Sequence, residues 1–117
     1  GHDEHMLPKL LPFVKKNGLI AIAVPGFNQD FPNGQLPKEV KPFWNAEWYF
    51  YSCSWWRSLW EQEAGIEITL LREMTSCKQA WDEWLQSPNP HAQSDIEMMK
   101  AGVGNYFNII QMVGRKK

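Results

Sequence analysis

At 117 residues with a net charge of -1, the chain is sized for one domain with a modest core. That charge offers no basic face to nucleic acid, and no apolar run reaches the roughly 20 residues of a membrane span. Seven Trp and six Phe make aromatic packing, or an aromatic pocket, the main theme.

The chain starts at Gly1, read either as a tag remnant or as a point inside a longer protein; it carries no signal-peptide pattern. His2-Asp3-Glu4-His5 is the one cluster with metal-ligand chemistry, set against the plainer reading of a polar chain end. Leu7, Leu10, Leu11 and Val14 then fall on one face of a helix expected over Asp3–Lys16, with Pro12 bending or restarting it. Leu19–Val24 follows the turn at Asn17-Gly18. It has no polar break and is rich in Ile and Val, so it reads as a strand buried on both faces.

From Pro25 to about Tyr51 the periodicity dissolves into a long loop punctuated by proline and by Asn33-Gly34. Its second half holds Phe43, Trp44, Trp48, Tyr49, Phe50 and Tyr51, read as an aromatic lid over a pocket or as plain cover for the sheet. Ser52 or Ser54 is expected to cap the next helix, and Gly65 to end it in the left-handed conformation. Trp56, Leu59, Trp60 and Ala64 form its core stripe, while Trp55 starts on another face as the better ligand contact.

Ile66–Leu70 alternates as an edge strand. Two short helices follow, with capping boxes expected at Ser76/Gln79 and Ser94/Glu97 and a stiff Ser87-Pro88-Asn89-Pro90 linker between them. Cys77, Ala80, Trp81, Trp84 and Leu85 are assigned to the core, which makes Cys77 an inert thiol. Cys53 and Cys77 form no disulfide framework, and free thiols point to the cytoplasm. Tyr106–Val113 is bulky on both faces and belongs inside the sheet. Arg115-Lys116-Lys117 is read as a solvated tail.

The expected fold is α/β. It has a three-stranded mixed sheet, the first and second strands parallel and the last antiparallel between them.

Leu11-Pro12-Phe13-Val14-Lys15-Lys16-Asn17-Gly18-Leu19-Ile20-Ala21-Ile22 resembles the hydrophobic helix, glycine turn and fifth strand of class I S-adenosylmethionine-dependent methyltransferases. Val24-Pro25-Gly26, Lys41-Pro42-Phe43-Trp44 and Ser54-Trp55-Trp56-Arg57-Ser58-Leu59-Trp60 are similar to a bacterial small-molecule subgroup. The resemblance implies a single incomplete domain over 1–117, the C-terminal half of a Rossmann-like fold. The four upstream strands and the Gly-rich cofactor loop are absent; Gly102-Val103-Gly104 follows a helix and is not that loop.

S-adenosylmethionine would then bind only the intact parent, and this half would hold the methyl acceptor on Pro25, Gly26, Phe27, Trp44, Trp48, Tyr49 and Trp55. No cofactor residue carries over, and no catalytic base is evident, Glu47 and the terminal His residues being guesses. Self-association is expected through the unblunted Leu19–Val24 edge or the Leu7/Leu11 face. The competing reading is a non-catalytic aromatic module gripping an apolar or cationic ligand or a protein.

Overall fold

The computed structural model describes residues 5–117. Helix α1 (Met6–Leu10) passes at once into a 3-10 turn, Leu11–Phe13, because Pro12 has no N–H to continue the α-helical ladder. The restart at Pro12 is as expected. The helix is much shorter than the span to Lys16, and Lys15 and Lys16 lie beyond it.

Strand β1 (Leu19–Phe27), α2 (Cys53–Glu61), β2 (Ile66–Glu73), α3 (Cys77–Trp84), α4 (Pro90–Lys100) and β3 (Phe107–Lys116) complete the regular elements. The strand order is β1-β3-β2, with the last strand in the middle. Leu19 pairs with Arg115 and Phe27 with Phe107 on one side of β3; Ile66 pairs with Lys116 on the other, with an irregularity between Ile68 and Leu70.

This overturns the expected fold class. The strand order, with an antiparallel last strand between the first two, is as expected. But every ladder is antiparallel and no parallel pair forms, so the molecule is a small antiparallel sheet with four helices, not half of a parallel Rossmann-like sheet. Nor is β1 buried on both faces. Ile20 is buried, but Leu19, Ala21 and Ala23 are exposed on the opposite face. The apolar run misled because two of its residues are alanines, small enough to sit at an open sheet surface. The strand also runs through Pro25-Gly26, the pair expected to end it.

The main core lies on the covered face. Trp56 and Trp60 of α2 pack against Ile20, Ile66, Ile110 and Met112, with Leu7 and Leu11 closing the side. Leu7 and Leu11 are therefore already covered by their own chain, which removes the expected Leu7/Leu11 contact face. Lys116, read as part of a solvated tail, instead ends β3 and donates from Nζ to the carbonyls of Leu11 and Val14, at 2.8 and 2.9 Å. The bond to Val14 satisfies a carbonyl left open where the 3-10 turn stops, and the Leu11 carbonyl accepts Lys116 in addition to the Val14 N–H. A second core gathers Phe27, Val40, Met98, Val103 and Phe107 where β1 ends and β3 begins.

The capping expectations fare unevenly. Ser52 caps α2, its Oγ accepting from the Trp55 N–H at 3.2 Å. Gly65 does not terminate α2 in the left-handed region; the helix stops at Glu61, and the Glu63 carboxylate accepts the Gly65 N–H. Neither capping box forms. Gln79 donates to Glu83 instead, and α4 starts at Pro90, capped by Asn89, with Ser94 inside it donating to the His91 carbonyl. Pro90 is pre-organised for a first helical position, so it outcompetes the later start capped by Ser94.

Candidate functional site

Phe27 is the last residue of β1, and its N–H donates to the Tyr51 carbonyl at 3.1 Å. That bond brings the entry to α2 alongside the end of β1. Between them the chain makes two 3-10 turns, Pro32–Gly34 and Lys41–Phe43. Asn33 and Gly34 both take left-handed φ values, 55° and 67°, which Asn and Gly tolerate at least cost. The loop folds back as a packed cover: Phe27 stacks with Trp44 at 5.4 Å and meets Phe31 edge-on at 4.8 Å.

The result is a cleft of about 440 Å³ walled by Phe27, Phe31, Trp44, Phe50, Tyr51 and Trp55, with Gln29, Asp30 and Ser52 at its polar side. Tyr51 and Trp55 stack face to face, ring centroids 3.6 Å apart. Asp30 is held from α2: Ser52 Oγ donates to Oδ1, and Ser54 Oγ to Oδ2 at 2.8 Å. These hydroxyl bonds hold the carboxyl below its ordinary range, since they favour the charged form. Asp30 therefore keeps its charge through neutral and mildly acidic pH, and the tie to α2 loosens only as pH falls below that range.

Of the residues singled out from sequence, Phe27, Trp44 and Trp55 converge on this cleft. Trp48 stands behind it, stacked on Phe50 at 5.3 Å. Tyr49 is exposed and lines no cavity described here. Gly26 is buried and structural: a side chain there would collide with the Tyr51 carbonyl and with Ile110. Pro25 faces a different, smaller hydrocarbon cavity of about 200 Å³, walled by Phe50, Trp81, Trp84 and Phe107.

That second cavity cuts back the assignment of the α3 stripe to the core: Trp81 stacks on Phe107 at 5.8 Å beside the second core, but the stripe is not enclosed. No residue of α3 is buried; Trp81 and Trp84 are half-exposed, and the Trp84 indole donates to Asp95. Glu47 is exposed and lines none of these spaces. Cys53 and Cys77 are free, and burial pushes both thiols up, as expected for poor nucleophiles. In the terminal cluster His2, Asp3 and Glu4 lie outside the described residues.

Sequence reasoning missed Asp30, Gln29 and Phe31. The signal for Asp30 was weak: an acid in a polar loop, twenty-two positions from the serine that holds it.

No family model, no curated protein and no solved structure matches this chain. With an antiparallel sheet in place of the expected Rossmann-like topology, the methyltransferase assignment and its S-adenosylmethionine chemistry are set aside.

Proposed function

We propose that the chain is a non-catalytic binding module whose aromatic cleft holds a small organic ligand. The observation that carries this is the convergence of rings from β1, the long loop and α2 around a space of about 440 Å³, within the range of small-molecule sites. Rings of this kind normally fill a core; here they wall a space that opens outward. The two free cysteines favour a reducing compartment such as the cytoplasm. Among the described residues no helix is long and apolar enough to cross a membrane.

Titration with indole and with benzyltrimethylammonium, followed by ligand NMR, tests the reading. At least one should bind saturably, and Trp44→Ala should weaken it about tenfold, the scale of one lost stacking partner. Absence of saturable binding by both probes, or an unchanged affinity in folded Trp44→Ala, would reject the module.

We further propose that the free edge of β1 is covered by a second copy. Phe27 donates outward to Tyr51 while Gly18 accepts from Lys116 in β3, so by alternation the N–H groups of Leu19, Ala21 and Ala23 point away from the sheet. Pro25 occupies the next outward position and has no N–H, which confines the open stretch to Leu19–Val24. Light scattering at ~100 μM should give a dimer, and Ala21→Pro should give a monomer with its β3 ladder intact. A monomeric wild-type chain would refute the pairing.

A further inference from the structure

We infer that the ligand of this cleft is a small alkylated ammonium ion. The inference rests on the binding-module reading and narrows it to a chemical class. Aromatic walls alone accept any apolar molecule, so the deciding feature is Asp30, the one ionised side chain among those lining the cleft.

Asp30 is both fixed and surplus in charge. The hydroxyls of Ser52 and Ser54 each take one carboxylate oxygen, and the two serines also lie within hydrogen-bond distance of each other, 2.9 Å. Fastening the loop to α2 needs acceptors, a task a neutral amide oxygen shares; it does not need a full negative charge. Among the described residues no Lys or Arg forms an ion pair with Asp30. The nearby start of α2 offsets about half a charge at most. Each carboxylate oxygen retains a further lone-pair direction.

The walls complement that charge. Phe27, Phe31, Trp44, Phe50, Tyr51 and Trp55 line the cleft; stacking covers one face of several of these rings and leaves the other, and a ring face attracts a cation through its quadrupole. A primary ammonium must place three donors, and the polar side holds only Gln29, Asp30 and Ser52, two of them already tied together. An ammonium whose hydrogens are replaced by alkyl groups needs no acceptors. It satisfies the rings by contact and the carboxylate by charge.

Choline and its carbon isostere 3,3-dimethylbutan-1-ol differ only in that charge, and both are small for the space. Isothermal titration should give choline about tenfold tighter binding than the alcohol. Asp30→Asn keeps one acceptor for the serines and should lower choline affinity about fivefold more than it lowers that of the alcohol. Trp55→Leu should weaken choline in a chain whose Asp30 is untouched. Equal affinities for the two probes, or an unaffected Asp30→Asn, would overturn the cation inference. If indole binds in this cleft while choline does not, the module stands and the ligand class falls; if nothing binds, both fall.

Discussion

Replacing Trp56 by alanine is expected to remove about 3–5 kcal/mol of folding stability, the cost of deleting a buried aromatic and leaving its cavity. Trp56 is fully buried, and with Trp60 it forms the part of α2 that seats against Ile20, Ile66, Ile110 and Met112. Trp56 and Trp60 are the two buried residues of α2, and the rings beside Trp56, Tyr51 and Trp55, are themselves held in a face-to-face stack, which limits how far they can move into the gap. Against a total of about 5–15 kcal/mol for a typical domain, much of the margin disappears. Urea unfolding followed by far-UV circular dichroism measures it. Trp56→Phe should cost far less, within about 1.5 kcal/mol. The ring volume is largely kept, and the indole Nε1–H has no acceptor among the described residues, so its loss removes a buried donor left unsatisfied. A Trp56→Phe as damaging as Trp56→Ala would show that the indole nitrogen has a structural task.

Gly26→Ala should be the other severe substitution, for the opposite reason. The added Cβ would overlap the Tyr51 backbone oxygen and the Ile110 side chain. The Ile110 methyl has some freedom to rotate; the Tyr51 carbonyl has little, because it accepts the Phe27 N–H. We expect a loss of about 3 kcal/mol, the upper end of overpacking costs. The displacement also enters the cleft, since Tyr51 stacks on Trp55 and both line it. A folded Gly26→Ala should therefore bind ligand more weakly although it alters no wall residue. Urea midpoint and probe affinity, measured on the same sample, report the two effects separately.

The contrast between these positions shows where the sequence was readable. Trp56 and Trp60 stand four apart on one face of α2, with Leu59 beside them, and that helical spacing marks the face as core. Ile66–Leu70 alternates and is indeed at an edge, and the bulk of Tyr106–Val113 on both faces fits a central strand. Leu19–Val24 misled because hydropathy weighs alanine as apolar while a sheet surface tolerates it. The α3 tryptophans misled in part: Trp81 does stack on Phe107 beside the second core, but helical spacing says which residues share a face, not how completely that face is covered. The cleft was half legible: aromatic residues in a proline-rich loop announced it, but its charged anchor depends on a contact between Asp30 and α2 that no local pattern encodes.

The position of β3 at the centre of the sheet has a consequence for how the protein is made. Strands β1 and β2 have no ladder with each other; each is zipped only to β3, the last of the three to leave the ribosome. Until Phe107–Lys116 has been synthesised, β1 has no ladder partner and the indoles of α2 lack Ile110 and Met112 from the middle of their core. The nascent chain must carry them unshielded while the whole intervening segment is translated, and the non-local closure that follows is slow relative to helix formation. Helices α2 and α4 are free to form early, but the sheet, and with it the cleft at the end of β1, assembles in one late step. A nascent chain arrested before residue 107 should remain protease-sensitive throughout β1 and should be a client for holding chaperones.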